Sequence, residues 1–218
     1  MLLRVIIVCL VFWGAPARTC ETALLLAIDV SNSIDAGEYK IQTEGLAAAL
    51  RDPEIAEILV RDRVAISVLQ WSGADRQTVS IPWQRMTSAA VVSAFSMQAH
   101  RMPRAFILSN TAPAEALTAS LKQFQNVSDC KRKIIDISGD GTPNAKETGP
   151  VGVVRRQAEQ MGVTINAVAI EALGLAITNF YRRRVITRDG FVLTARGVRD
   201  YPRAIREKLL REISRVMM

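Results

Sequence analysis

The apolar run Ala23-Leu24-Leu25-Leu26-Ala27-Ile28, followed directly by Asp29-Val30-Ser31-Asn32-Ser33, constrains this chain more than any other stretch. The run is too short for a helix of its own and lacks the alternation of a half-buried strand, so it reads as a strand covered on both faces. Its end delivers one carboxylate and two hydroxyls, on alternate residues, to the edge of a sheet. Hard oxygen donors in that arrangement suit a small hard cation such as Mg²⁺. A turn with a Ser capping a helix that begins near Asp35 accounts for the same residues without an ion.

Further apolar, strand-like runs occupy residues 64–71, 133–138 and 164–170, and helical patterns fill residues 36–50, 88–97, 114–124 and 151–161 between them. That alternation predicts an α/β fold, a doubly wound and mostly parallel sheet flanked by helices. Residues 78–82 follow the second run after a short polar turn that is too brief for a crossover, so this strand is expected antiparallel and, with Pro82, at an edge. A last strand at 191–194 and a closing helix over 201–216 complete the pattern.

Arg4, the apolar residues 5–13 and Ala15-Pro16-Ala17 form a charged start, a hydrophobic core and a small-x-small cleavage signal. We expect a signal peptide over 1–17, a single domain over 18–218, and a periplasmic or secreted protein. The apolar stretch falls short of the roughly 20 residues of a permanent span, so no stable membrane span is expected after cleavage. Loss of Cys9 with the leader leaves Cys20 and Cys130 as one pair in an oxidising compartment. The formal charge of +7 is concentrated late, from Arg182 to Arg215. There the basic residues, Lys208 among them, interleave with Ala204, Ile205, Leu209, Leu210 and Ile213 as the solvated face of an amphipathic helix, so no nucleic-acid partner is expected.

The strand at 133–138 ends in Gly139-Asp140-Gly141, a second carboxylate between residues that let the backbone turn sharply. Ligands of open α/β sheets sit beyond the carboxyl ends of strands where strand order reverses. With this strand beside the first, Asp29 and Asp140 face one spot. Ser109-Asn110-Thr111-Ala112-Pro113 opens a helix and brings the Thr111 hydroxyl to the same edge.

At these residues the chain resembles a von Willebrand factor A domain with a metal-ion-dependent adhesion site. The resemblance rests on Asp29, Ser31 and Ser33 after the first strand, Thr111 before Ala116-Leu117 at a helix start, and Asp140-Gly141 after the fourth strand. It implies strand order 3-2-1-4-5-6 and coordination of Mg²⁺ or Mn²⁺ by the hydroxyls of Ser31, Ser33 and Thr111. Asp29 and Asp140 would act directly or through water, and an acidic residue of an unidentified protein ligand would supply the remaining position. The implied role is adhesion-type protein binding, without catalysis. Pro113 and Ala114 replace the family's usual Ile-Gly, a change expected to stiffen the Thr111 loop. Trp71-Ser72-Gly73, Trp83 and residues 135–141 are further similar to a group of short exported bacterial A-domain proteins of unknown function. Cys20 and Cys130 precede Asp29 and Asp140 by nearly equal lengths of chain, so neighbouring parallel strands would bring the two sulfurs to one level, at the end opposite the site.

A haloacid-dehalogenase-like, Mg²⁺-dependent phosphatase is the alternative, since it too wants an Asp after the first strand, a later Ser or Thr, and Gly-Asp-Gly. That chemistry needs a second Asp where this chain has Ser31, because a hydroxyl has no useful pKa for general acid–base work near neutrality. It also expects an acid where Asn144 stands. His100 reads as a surface residue, Trp71 as a packing residue, and Glu38 and Glu44 as solvated charges without partners. Mass spectrometry of the exported protein is expected to place the first residue at Arg18, and an intact Met1 on a membrane-held form would contradict the leader.

Overall fold

In the computed structural model, which describes residues 19–107, 109–144 and 150–214, the first strand β1 (Thr22–Asp29) is buried along its whole length. The helices α1 (Ala36–Leu50) and α2 (Pro53–Arg61) follow, then β2 (Ala65–Trp71), β3 (Gln77–Arg85) and α3 (Ala89–His100). The second half runs α4 (Pro113–Gln123), β4 (Arg132–Gly139), α5 (Val151–Gln160), β5 (Val163–Glu171), α6 (Ala176–Phe180), β6 (Val192–Arg196) and α7 (Tyr201–Ile213). A π-helical turn, Tyr181–Val185, continues directly from α6. The expected leader, Cys9 and Val216 lie outside the described residues.

The strands form one sheet in the order β3-β2-β1-β4-β5-β6, parallel except for the antiparallel β2–β3 pair. This is the doubly wound order expected, with β3 and its Pro82 at one edge. Side chains alternate across β1: Leu24, Leu26 and Ile28 join the core beneath α1, α2, α3 and α7, while Ala23, Leu25 and Ala27 join that beneath α4 and α5. Both faces of the central strand are therefore apolar, as a parallel sheet covered on each side requires. Trp71 is fully buried and its indole donates to the Ala27 carbonyl at 3.2 Å, which makes it a core residue. Cys20 and Cys130, at the amino-terminal ends of β1 and β4, are joined by a disulfide.

Several local expectations need correction. Asp35, and no serine, caps α1: it accepts from the Glu38 amide, while Glu38 reaches back to the Asp35 amide in a capping box. Glu44 pairs with Lys40 at 3.8 Å. The helix α2, not among the expected helices, is short and follows α1 after a two-residue break, although Asp52 as cap and Pro53 in its first turn are ordinary start signals.

Lys208 is the largest departure, because it does not lie on the solvated face of α7. It is fully buried, with its ammonium 2.6 Å from Asp136 on β4 and 2.6 Å from Glu212 one turn on. Asn166 on β5 donates to Glu212 at 2.8 Å, and the Arg211 guanidinium lies 3.9 Å from the centre of the Phe191 ring beside them. One cation thus serves two buried carboxylates. Burial pushes Asp136 up and pushes Glu212 up to about 7, against the pull of Lys208. Unfolded, a glutamate loses its proton near 4.5; folded, Glu212 holds it to about 7, so raising the pH across that window favours the unfolded chain. Lys208→Met is expected to destabilise the protein by about 3–5 kcal/mol at pH 8, where the buried carboxylates lose their cation and can be neutralised only by taking protons from an alkaline solution. The loss should be smaller at pH 5, where they take up protons; denaturant titrations at the two pH values check this.

Candidate metal centre

The site grows from the ends of β1 and β4, which pair with Ile28 opposite Ser138 and so set Asp29 beside Gly139. Order reverses here, since β1 lies between β2 and β4, and this is where an α/β sheet opens a crevice. Asp29 is completely buried, and one carboxylate oxygen accepts from the Ser31 amide at 2.7 Å. The Ser31 and Ser33 hydroxyls lie 3.2 Å apart, and Ser33 donates to Asp140 at 2.6 Å. Asp29, Ser31, Ser33 and Asp140 are thereby linked in one hydrogen-bonded chain across the gap between two strands. Thr111 approaches from the third loop: its side chain faces Gly141, where an added Cβ would lie 3.4 Å from the Thr111 hydroxyl.

Each loop is held by neighbours outside the chain of donors. Arg104 donates to the carbonyls of Val30 and Ser31 at 3.0 and 2.8 Å, fixing the turn between Asp29 and Ser33. The Asn32 amide donates to the Ser109 carbonyl, which ties that turn to the Thr111 loop. Thr111 itself exchanges two bonds with Asn144, its amide donating to the Asn144 side chain at 2.7 Å and its carbonyl accepting from the Asn144 amide at 3.1 Å. On the other flank, the Ser72 hydroxyl donates to Asn110 and the Ala112 amide to Ser72. With Pro113 in the first turn of α4, the Thr111 loop is restrained from both sides.

Burial, with a smaller contribution from the nearby Asp140 charge, raises the Asp29 carboxyl to about 7 against the hydrogen bonds from Ser31. Asp140 is also raised, first by its own partial burial, with Ser33 opposing. The second Asp29 oxygen is buried and has no hydrogen-bond partner among the described residues. An unpartnered buried carboxylate oxygen is costly, and a divalent ion is the kind of group that removes the cost. Two carboxylates and three hydroxyls make an all-oxygen donor set that fits a hard cation. Ser31 and Ser33 retain lone pairs for an ion even while their protons are engaged.

All five residues singled out in the sequence thus reach one carboxyl edge. Arg104, Asn144 and Tyr181 were not foreseen as parts of the site. Arg104 and Asn144 act through backbone groups, which leave no spacing signal, and Tyr181 arrives on a π-helical turn that no periodicity announces. His100 is exposed at the end of α3.

The family model described as "Protein of unknown function (DUF1194)" matches residues 19–217. Among curated proteins, none matches the sequence. Several solved structures share the fold. Proximal thread matrix protein 1 from the mussel byssus, in a form with a zinc-occupied MIDAS motif, is 15% identical with a TM-score of 0.61, over 88% of this chain and 46% of that one. A von Willebrand factor type A protein from Catenulispora acidiphila is 15% identical with a TM-score of 0.64, over 88% and 43% of the two chains. BatB from Bacteroides thetaiotaomicron is 16% identical with a TM-score of 0.58, over 88% and 98%. The chain spans less than half the length of the first two. Together they show that the fold is von Willebrand factor A-like.

Gly139 is required by the crowding at this edge: a Cβ there would lie 2.6 Å from the Tyr181 hydroxyl and 2.9 Å from the free Asp29 oxygen. Gly139→Ala is expected to cost about 1–3 kcal/mol, as overpacking does, measured by chemical denaturation.

Proposed function

Since the chain belongs to the DUF1194 family, proteins of unknown function, and has a von Willebrand factor A-like fold, we propose that it is a divalent-metal-dependent protein-binding domain of the adhesion type. The reading is carried by one observation. Asp29, Ser31, Ser33 and Asp140 are linked in one hydrogen-bonded chain, and the second oxygen of the fully buried Asp29 carboxylate has no hydrogen-bond partner among the described residues. In this reading Ser31, Ser33 and Thr111 hold Mg²⁺ or Mn²⁺ by their hydroxyls, while Asp29 and Asp140 balance its charge directly or through water. Two carboxylates and neutral hydroxyls leave the ion short of anionic ligands, so it attracts an acidic residue of a partner protein. The zinc-occupied motif in the mussel protein, which shares this fold, supports a metal-binding role for the edge.

The protein acts outside the cytoplasm, in the periplasm or the medium. The Cys20–Cys130 disulfide supports this, because such bonds persist in oxidising compartments. Among the described residues no helix is long and apolar enough to cross a membrane. The proposed role involves no turnover, since Ser31 stands where a phosphatase of similar layout needs its general acid–base carboxylate.

Isothermal titration of the purified protein with Mg²⁺ and with Mn²⁺ tests the reading first. Asp29→Ala and Asp140→Ala are each expected to abolish ion binding and metal-dependent capture of a partner, with circular dichroism unchanged. Ser31→Ala should weaken ion binding, and Thr111→Ala should weaken partner capture more than ion binding. Absence of binding by the unaltered protein, or binding that survives both Asp substitutions, would end the adhesion-site reading. Hydrolysis of a generic phosphate ester that disappears in Asp29→Asn would favour the phosphatase instead.

A further inference from the structure

Tyr181 is fully buried, yet its hydroxyl has no hydrogen-bond partner among the described residues. Buried phenols ordinarily find one. The unpartnered oxygen of Asp29 is in the same condition, and both border one small space. An atom built as a Gly139 Cβ would sit 2.6 Å from the Tyr181 oxygen and 2.9 Å from that Asp29 oxygen. Gly139 leaves that space without a side chain, and a donor without an acceptor and an acceptor without a donor both border it. The other Asp29 oxygen is already engaged by the Ser31 amide, while this one has lone pairs for an ion and for the phenol together.

Tyr181 is held firmly enough to serve. Its ring meets Phe180 edge-on at 5.6 Å, its carbonyl accepts from the Ile186 amide at 3.1 Å, and its turn packs under the sheet beside β5. Its hydroxyl borders the Asp29 oxygen that the Ser31 amide does not engage. The phenol therefore bears on the aspartate.

Resting on the metal-binding reading above, we infer that Tyr181 is a positioning residue of the metal centre, its hydroxyl donating to Asp29, directly or through one water, when the carboxylate is ionised around a cation. Outer partners of this sort fix the orientation of a ligating carboxylate, and their loss typically lowers metal affinity by roughly 10- to 100-fold. Gly139 is the residue that permits the pairing. The phenol adds no charge to the site and leaves the outer face, where an acidic partner would enter, unobstructed.

The test compares the unaltered protein with Tyr181→Phe, titrating Mg²⁺ and Mn²⁺ by calorimetry and recording thermal melts in chelator. We expect ion affinity to fall by roughly 10- to 100-fold in Tyr181→Phe while the metal-free melt stays unchanged or rises, because an unpartnered hydroxyl has been removed. A purely packing role predicts unchanged affinity, and that result in a folded variant would overturn the inference. A second measurement needs no variant to bind. Protein carrying 3-fluorotyrosine has resonances from Tyr39, Tyr181 and Tyr201, and Mg²⁺ is expected to shift the one missing in Tyr181→Phe while leaving the other two in place. A Tyr181 resonance indifferent to saturating Mg²⁺ would overturn the inference as well. If the unaltered protein binds neither ion, the metal reading itself falls, whereas equal binding by both proteins removes only the role of Tyr181.

Discussion

The parallel pairing of β1 with its two neighbours is the constraint on which everything at the carboxyl edge depends. Its register sets Asp29 beside Trp71 on one side and beside Gly139 on the other. A slip by one residue would turn every side chain of β1 to the opposite face. Leu24, Leu26 and Ile28 would then face helices α4 and α5, where Ala23 and Ala27 now fit, and the Asp29 carboxylate would leave the gap it shares with Asp140. Three large side chains on one face of β1, against two alanines and Leu25 on the other, thus specify register where polarity cannot.

The molecule buries carboxylates in two places and treats them differently. Asp136 and Glu212 share the ammonium of Lys208, an internal cation supplied by α7. Asp29 and Asp140 have no ion-pair partner among the described residues; hydroxyls, amides and each other adjoin them, and the Glu38 charge bears on Asp140 as well. Both arrangements pay heavily for removing charge from water, and only the first has a cation supplied from within the chain. The second is balanced either by protons or by an ion from solution. That contrast separates a carboxylate cluster that consolidates helix packing from one suited to bind.

Much of this was legible in the residues. The apolar run before Asp29 announced a central strand, the brief turn before Thr78 announced an antiparallel edge, and Asp29, Ser31, Ser33, Thr111 and Asp140 announced a common edge. What stayed hidden depends on long-range packing. Lys208 looks like any basic residue of an amphipathic helix until Asp136 and Glu212 meet it. Tyr181 lies on a π-helical turn, whose spacing follows neither helix nor strand, and Arg104 and Asn144 work on carbonyls and amides that every residue possesses. A sequence displays the donors of a site more readily than the residues that hold them still.

The Cys20–Cys130 bond lies at the far end of the same two strands that carry Asp29 and Asp140. Its position gives the fold a mechanical character. Tension applied at the two aspartates runs lengthwise down β1 and β4 and meets a covalent crosspiece at their roots, so the strands are loaded as a closed fork. Neighbouring parallel strands pulled from opposite ends slide apart by shearing their ladder; two strands tied at one end and pulled together at the other have no such sliding coordinate. A handle grasped at the carboxyl edge is thus anchored through covalent bonds across the full depth of the sheet.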